Sequence, residues 1–233
     1  MLTTIRIGSV AISTYWLMLL IGAVGMGVYT WRHKREYRLS SVKSVVFTIV
    51  LTIVGFTGAK LLFILENLRT TLEDGISLGG VSFFGSVFLI PLMMPLIGYL
   101  FRLRPLDTMD LCGPCVAIMI CCMRFGCFLQ GCCGGWEVCI GDICFTWPTQ
   151  VVESIGDVAI FTLLVKWEKE GKRKGQLYPL FMLLYSSMRF LIEFLRATPK
   201  DWLFLSQGQW YAIGAIVTAF IWMSVMRRKE KFE

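Results

Sequence analysis

Three long stretches without a charged side chain constrain the fold more than any other feature of this sequence. They run from Ile7 to Trp31, from Gly75 to Phe101 and from Trp202 to Met226. A helix needs about 20 apolar residues to cross the hydrocarbon core of a bilayer, and each stretch exceeds that length. The chain is 17% charged, whereas soluble domains are roughly 25% charged. The sequence therefore predicts an all-α, polytopic membrane protein.

Hydropathy predicts about seven transmembrane helices. Because no linker, low-complexity stretch or internal repeat interrupts the sequence, we expect a single domain that covers residues 1–233. The predicted helices span residues 9–31, 44–65, 80–101, 108–129, 148–165, 176–196 and 208–226.

The basic residues predict the orientation of these helices. Most of the 23 Lys and Arg residues lie in segments 32–43, 102–104, 166–174 and 227–231, which are alternate loops of the predicted topology. Such loops face the cytoplasm, so the N-terminus is expected outside and the C-terminus in the cytoplasm. Since topology explains the net charge of +7, we expect no nucleic acid as a partner.

Ionisable residues inside the predicted helices are candidates for function. Each would cost roughly 2.5–3.5 kcal/mol at the centre of a lipid-facing helix, so we expect them to face the bundle interior or a wet cavity, or to lie near the interface. The alternative is that they pair with one another and only lock the helices together. They are Lys60, Asp110, Arg124, Glu153, Asp157, Arg189 and Glu193.

Helical spacing groups some of these residues with other polar side chains. Intervals of three and four residues place side chains on one face of a helix, where an Arg–Glu pair is mutually satisfied. One such stripe on the sixth predicted helix contains Tyr185, Arg189, Glu193 and Arg196, and one on the fifth contains Gln150, Glu153 and Asp157.

Arg124 and Arg189, on different predicted helices, have the chemistry to hold one anion between them. Guanidinium groups bind phosphate with two parallel hydrogen bonds, most strongly where water is excluded. A phospholipid head group is the phosphate available to a buried membrane site. The glycines of segment 79–85 would let the backbone approach such a ligand, although an ordinary turn at a helix start also explains them.

These segments, taken in order, resemble the prolipoprotein diacylglyceryl transferase family. Arg124–Gly131 resembles its signature Arg-Xaa-Gly-Asn-Phe-Xaa-Asn-Gly, and Gly79–Gly85 resembles its Gly-Gly-Met-Ser-Phe-His-Gly motif. The resemblance extends over essentially the whole chain. The other matching segments are Gly8–Met18, Gly58–Leu61, Asp110 with Gly113 and Pro114, Pro148–Gln150 with Glu153, Tyr185–Arg196, and Gly208–Gln209.

The resemblance implies a membrane transferase that acts on phosphatidylglycerol. In that family the diacylglycerol moves to the cysteine thiol of an exported lipoprotein precursor, at the outer face of the bacterial cytoplasmic (plasma) membrane. A thioether forms and glycerol phosphate leaves. The expected partners are phosphatidylglycerol, exported lipoprotein precursors and membrane lipids, with no cofactor and no metal.

The same resemblance assigns roles to individual residues. A departing phosphate needs cationic stabilisation, which fits two arginines. The residues expected to be catalytic are Arg124, Arg189 and Glu193. Those expected to bind substrate are Tyr15, Lys60, Ser82, Gln130, Gly131, Gln150, Glu153, Tyr185, Arg196 and Gln209.

The chain departs from the family pattern where the acceptor chemistry is concerned. Phe84 stands at the position of the motif histidine, and the only histidine of the chain is His33, in a predicted cytoplasmic loop. Cys127 and Gln130 stand at the two signature asparagines. The acceptor is therefore either a lipoprotein thiol or another group that receives the same lipid. A third alternative is that the chain is a relative that binds lipid without catalysis.

The nine cysteines all lie between residues 112 and 144. The segment Cys112–Cys115 reads Cys-Gly-Pro-Cys but lacks the βαβ context in which this motif carries redox chemistry. Five further cysteines lie in a predicted external loop, where disulfides persist, so up to four of them can pair and leave one thiol free, and the sequence does not determine the pairing. These cysteines have four alternative roles: disulfides that staple the loop, a reactive thiol, a zinc site of four thiolates, or the redox site of a membrane thiol–disulfide oxidoreductase. These five are Cys127, Cys132, Cys133, Cys139 and Cys144.

The predicted topology has a direct test. A reporter domain fused after Met226 is expected to be cytoplasmic, and one inserted in segment 197–205 is expected to be external. Compartment-specific reporter activity measures both positions. The reverse pattern would contradict the predicted orientation.

Overall fold

The computed structural model describes residues 3–7, 10–75, 80–141, 143–171, 175–200 and 203–230. Within these ranges the fold consists of eight α-helices and two β-hairpins. The helices are α1 Thr14–His33, α2 Ser41–Glu66, α3 Leu68–Asp74, α4 Phe83–Phe101, α5 Pro105–Gln130, α6 Thr149–Lys169, α7 Leu177–Ile192 and α8 Gln207–Glu230. The strands are β1 Thr4–Ile7, β2 Val10–Ser13, β3 Glu137–Ile140 and β4 Ile143–Thr146.

Six of the described helices are long and apolar enough to cross a membrane. They are α1, α2, α4, α5, α7 with its 3-10 extension to Leu195, and α8 as far as Met226. The fifth predicted span corresponds to α6, which lies outside this set although it is 21 residues long. Its Glu153 and Asp157 are buried against other helices. The prediction of a mostly helical, polytopic membrane protein is confirmed.

Two of the predicted helix boundaries that differ from the structure affect the region of interest. Residues 10–13 belong to an antiparallel hairpin in which Thr4 pairs with Ser13, so α1 begins at Thr14 and not at residue 9. Hydropathy alone does not separate an apolar strand from the start of an apolar helix. The second boundary is the end of the sixth predicted helix. Here α7 ends at Ile192, and one 3-10 turn, Glu193–Leu195, follows it. Arg196 therefore lies beyond the helix on which it was predicted.

Helix α5 lies at the centre of the bundle, where it packs against α1, α4, α6 and α7. Leu111, Cys112 and Ala117 on α5 are fully buried. A Cβ atom at Gly113 would lie 2.9 Å from the carbonyl oxygen of Leu177, so this glycine permits the close approach of α7. The residues of α5 consequently reach most of the interior.

Asp110 joins α5 to the start of α7. Its carboxylate accepts hydrogen bonds from the backbone N–H groups of Gly175, at 2.6 Å, and Leu177, at 3.1 Å. The first N–H groups of a helix lack partners within the helix, and a carboxylate there is stabilised by the helix dipole. This intramembrane charge therefore holds two helices together, which is the structural alternative that the sequence left open.

Gly58 and Gly85 bring the backbones of α2 and α4 into contact. A Cβ atom at Gly58 would lie 2.5 Å from the carbonyl oxygen of Gly85. At Gly55, one turn earlier on α2, a Cβ atom would meet only side-chain atoms, a methyl of Ile90 at 3.7 Å and the hydroxyl of Ser86 at 4.0 Å. The crossing thus depends on Gly58 and Gly85, and Gly55 provides a matched control.

We predict that Gly58→Ala destabilises the protein and that Gly55→Ala does not. The extra methyl group at Gly58 meets backbone and forces the helices apart, at a cost of about 1–3 kcal/mol. Thermal unfolding in detergent is the measurement, with a lower Tm expected for Gly58→Ala alone. Equal Tm values for the two variants would contradict the predicted helix crossing.

Candidate functional site

Glu153 on α6 lies among three arginines that come from three different segments. It forms an ion pair with Nε of Arg124 on α5. Its Oε1 lies 3.1 Å from Nη1 of Arg189 on α7 and 3.5 Å from Nη1 of Arg196. The carboxylate is almost completely buried, with 1% of the residue exposed. Two helices and the segment after α7 therefore converge on one carboxylate of α6.

Glu193 is the second carboxylate of this group. Its Oε2 lies 2.7 Å from Nη1 of Arg189 and 3.8 Å from Nε of Arg196. Its Oε1 accepts hydrogen bonds from the hydroxyls of Thr198, at 2.8 Å, and Ser206, at 3.0 Å. Arg189 thus bridges Glu153 and Glu193. We call Arg124, Glu153, Arg189, Glu193 and Arg196 the ion cluster.

The ion cluster accounts for the predicted anion clamp in an unexpected way. Arg124 and Arg189 do hold one anion between them, but in this structure that anion is the carboxylate of Glu153. Asp157, one turn further along α6, is fully buried, and neither of its carboxylate oxygens has a hydrogen-bond partner among the described residues. Buried charges are tolerated where they are paired, as Glu153 is with Arg124 and Arg189. The ion pairs of Glu153 hold α5, α6 and α7 in register.

An apolar cavity lies beside the ion cluster, between α1, α2, α4 and α5. Its empty volume is about 490 Å³, which includes the space that opens to the outside of the bundle. Leu51, Ile90 and Val116 contribute to its lining. Phe83 also lines it, and the guanidinium of Arg124 lies 4.5 Å from the centre of that ring. An apolar cavity that ends at a cationic group suits an amphiphile with an anionic head.

Tyr15 and Tyr185 lie near Arg124. Tyr15, on the first turn of α1, packs on Gly126 of α5, and its buried hydroxyl has no hydrogen-bond partner among the described residues. A buried hydroxyl normally has such a partner, so this one is available to a bound polar group. Tyr185 is buried on α7, with its ring centre 6.0 Å from that of Phe84.

Lys60 and Ser82 are not part of the ion cluster. Lys60 on α2 donates a hydrogen bond to the carbonyl of Gly80 at 3.3 Å. Ser82, just before α4, donates to the carboxylate of Glu66 at 2.8 Å. Gly79, which the sequence assigned to the same motif as Ser82, lies outside the described residues.

Gln130, Gly131 and Gln150 surround the loop that follows α5. Gln130 donates a hydrogen bond to the hydroxyl of Ser13 at 2.6 Å. Gly131 ends α5 with φ +73°, a conformation that glycine adopts without strain. Gln150, on the first turn of α6, donates to the carbonyl of Cys132. We call residues 131–136 the cysteine loop.

Gln209 has a structural explanation at the start of α8. Its side chain accepts a hydrogen bond from the backbone N–H of Ser206 at 2.9 Å, and its own N–H donates to the hydroxyl of Ser206 at 3.3 Å. This reciprocal arrangement is a capping box, which satisfies two N–H groups at the helix start. The spacing Ser-Xaa-Xaa-Gln in the sequence was a signal for it.

Several residues at the site were missed by sequence reasoning. Phe83 lies under Arg124, and Glu66 accepts the hydrogen bond from Ser82. Glu66 was overlooked because the predicted second helix ended one residue before it. Thr198 and Ser206 follow the sixth predicted helix. Only the structure shows that their hydroxyls donate hydrogen bonds to Glu193.

Fewer of the five cysteines in the predicted external loop are paired than the four that the sequence allowed. In the described part of the chain one disulfide is present, between Cys139 and Cys144 across the β3–β4 hairpin. Cys127, Cys132 and Cys133 are free thiols. Cys112 and Cys115 of the Cys-Gly-Pro-Cys segment are fully buried within α5, and burial denies them the access that thiol–disulfide exchange needs.

Cys133 in the cysteine loop has an unusually acidic thiol. A hydrogen bond from Cys127 and the positive charges of Arg196 and Arg124 lower the pKa of Cys133 to about 5. Burial instead raises the pKa of the adjacent Cys132. Cys133 is therefore the thiolate of this pair at neutral pH.

Comparison of the chain with a family model and with individual proteins gives the same family. Residues 3–225 match the family described as prolipoprotein diacylglyceryl transferase. The chain is 28% identical over 204 residues to phosphatidylglycerol–prolipoprotein diacylglyceryl transferase 2 of Clostridium perfringens, with 80% of each chain covered. It is 28% identical over 239 residues to phosphatidylglycerol–prolipoprotein diacylglyceryl transferase of Bordetella bronchiseptica, with 91% of this chain and 90% of the relative covered.

We predict that Glu153→Ala destabilises the protein by about 3–5 kcal/mol, because it leaves buried arginines without a counter-charge. The matched control is Glu73→Ala, which removes an exposed pair with Arg69 and should cost less than about 1 kcal/mol. Chemical unfolding in detergent measures both values. Similar losses for the two variants would show that the ion cluster does not stabilise the fold.

Proposed function

Because the chain belongs to the prolipoprotein diacylglyceryl transferase family, we propose that it is a membrane enzyme that takes the diacylglyceryl group from phosphatidylglycerol. The acceptor that we propose is the cysteine thiol of an exported lipoprotein precursor. Relatives that carry this activity in their names align with most of the chain, which supports the assignment.

The observation that carries the proposal is the position of Arg124. Its guanidinium lies against Phe83 on the wall of the apolar cavity, and it also pairs with Glu153 in the ion cluster. The acyl chains of the donor lipid would occupy the cavity, because burial of apolar surface favours them there. The phosphate would then lie at Arg124, where bidentate hydrogen bonds are available.

The proposed reaction exchanges one bond to carbon for another. A thiolate attacks the carbon of the diacylglyceryl group that is bonded to the phosphate, a carbon–sulfur bond forms, and the bond from that carbon to the phosphate oxygen breaks to release glycerol phosphate. Negative charge grows on the leaving phosphate in the transition state, so fixed cations stabilise it there. We assign this role to Arg124 and Arg189. Glu193 would position Arg189, with which it pairs at 2.7 Å.

Glu153 would keep the arginines in place until the lipid binds. Its carboxylate pairs with Arg124, Arg189 and Arg196, and the lipid phosphate would share these partners with it. Tyr15 would supply a hydroxyl to the head group, since its oxygen is buried without a partner among the described residues. Lys60, Ser82, Gln130, Gly131, Gln150, Tyr185, Arg196 and Gln209 complete the substrate-binding set that we propose.

The proton of the acceptor thiol cannot go to the residue at the motif histidine position. Phe84 is buried there and packs on Tyr185 and Tyr211, with ring centres 6.0 Å and 5.9 Å away. A free thiol has a pKa near 8.5, so a few per cent is already thiolate at neutral pH, and nearby arginines raise that fraction. We therefore propose that the acceptor arrives as a thiolate.

The proposed enzyme is a single domain of seven transmembrane helices in the bacterial plasma membrane. Helix α6 would be the seventh, since its 21 residues suffice to cross the bilayer and its buried acids face protein. We propose that the N-terminus is outside and the C-terminus in the cytoplasm, an orientation that the basic loops support. The lipid, the exported precursor and surrounding membrane lipids would be its partners.

Incubation with phosphatidylglycerol and a lipoprotein signal peptide tests the proposal. Lipid labelled in both the acyl chains and the head group distinguishes the outcomes. Diacylglyceryl transfer gives a labelled peptide and free glycerol phosphate. Transfer of the glycerophosphoryl group would release diacylglycerol and contradict the reaction, and thiol oxidation without either product would favour an oxidoreductase.

We predict that Arg124→Ala and Arg189→Ala each reduce turnover by at least about 100-fold, because loss of one donor to a developing charge costs roughly 2.7–4 kcal/mol. Arg124→Lys and Arg189→Lys should recover activity only in part, since Lys lacks the planar fork. Thermal unfolding of each variant controls for stability. Turnover near the wild-type value in both Ala variants would rule out the phosphate clamp.

A further inference from the structure

Three thiols of the cysteine loop and the end of α5 form a compact group. The sulfur atoms of Cys127, Cys132 and Cys133 all lie within 4.8 Å of one another. Three sulfurs around one ion, each about 2.3 Å from it, would be about 4 Å apart. The spacing therefore already approximates a metal site with three thiolate ligands.

The backbone holds these cysteines together through the end of α5. Gly131 turns the chain with φ +73°, and the N–H of Cys132 then donates to the carbonyl of Cys127 at 3.1 Å. Cys133 follows with φ +66°. A residue other than glycine rarely adopts that left-handed conformation.

Side chains at the start of α6 fix the same segment from the other side. The hydroxyl of Thr149 donates to the carbonyl of Cys133 at 3.1 Å, and the amide of Gln150 donates to the carbonyl of Cys132. Groups that orient ligands in this way contribute strongly to metal affinity. The three thiols thus belong to a built site and not to a flexible loop that brings them together by chance.

The number and type of ligands select the metal. Zinc in a structural site takes four ligands, and iron–sulfur clusters also take four cysteines. Among the described residues no fourth Cys, His, Asp or Glu joins this group, and Cys139 and Cys144 are bonded to each other. Soft thiolates also favour Cu(I), which does not require a fourth ligand. We propose that Cys127, Cys132 and Cys133 bind one Cu(I) ion as three thiolates.

The surrounding charges suit this ion. Cu(I) would bind three thiolates, and each thiol that is still protonated would release its proton on binding, so the complex carries two negative charges in total. Arg124 lies one turn before Cys127 on α5, and Arg196 is placed next to the cysteine loop by a backbone bridge to Gly135. Two guanidinium groups therefore stand near a complex of opposite charge.

The ion also has a route to the site. Cys132 and Cys133 are exposed, whereas Cys127 is buried beneath them with 5% of the residue accessible. Cu(I) would reach the two exposed thiols first and then engage the third. The three ligands lie outside the lipid cavity and are not carboxylates of the ion cluster, and Arg124 and Arg196 of that cluster stand beside them.

Titration of the full-length protein with Cu(I) tests the proposal. The protein is purified in detergent, reduced, freed of reductant and titrated without oxygen against a chromophoric Cu(I) chelator. We expect one Cu(I) per chain, and X-ray absorption fine structure with three sulfur neighbours. No lipid is present, so failure of this experiment is distinct from failure of the transferase assay.

Variants identify the ligands. Cys132→Ser and Cys133→Ser should each lower the affinity by on the order of 100-fold or more, and Thr149→Val by about 10-fold, the size of effect seen for groups that orient a ligand. Cys122→Ser is the control, since Cys122 is a free thiol of α5 outside this group, and it should bind as the wild type does. Thermal unfolding identifies any variant that fails to fold.

Four outcomes would overturn the proposal. They are binding of less than one Cu(I), unchanged affinity in both serine variants of the cysteine loop, tighter binding of Zn(II) than of Cu(I), and a disulfide among the three thiols in protein isolated without reductant. Cu(I) should also raise the Tm of the wild-type protein but not of folded Cys132→Ser, because a ligand stabilises the state that binds it.

Discussion

The rest of the structure depends on one buried carboxylate, that of Glu153. It pairs with Arg124 of α5, Arg189 of α7 and Arg196 beyond it, so three segments are held around α6. Each arginine alone would be costly inside a membrane, and the carboxylate would be costly without them. The same pairing explains part of the polarity of α6, since Glu153 faces arginines and not lipid.

Charge and apolar surface are separated with a sharp boundary at Phe83. On one side lies a cavity of about 490 Å³ with an apolar lining, and on the other lies the guanidinium of Arg124. Exclusion of water on the cavity side strengthens each electrostatic contact at the boundary. An amphiphile bound across it would place its two halves in matching surroundings. This division, with Arg124 at its boundary, supports an anionic lipid such as phosphatidylglycerol as the donor that we propose.

The sequence predicted the helices and the residues of the ion cluster. It did not predict which residues on different helices contact each other. Charge-free runs of spanning length specify helices, and a spacing of four residues pairs Arg189 with Glu193 on one face, as observed. Contacts between helices follow no such period. Arg124 and Glu153 are 29 positions apart, and nothing local indicates that they meet. The hairpin before Thr14 was missed because apolar strands and apolar helices share one hydropathy signal.

Phe84 shows where the chemistry of this chain must differ from the family pattern. Its ring packs between those of Tyr185 and Tyr211, so no proton acceptor occupies the position of the motif histidine. The proposed reaction then requires only that the acceptor thiol is ionised. Nearby positive charge favours the thiolate, and it also stabilises the negative charge on the leaving phosphate. The same arginines would serve both ends of the reaction, and a base at position 84 becomes dispensable when the thiol ionises before it attacks.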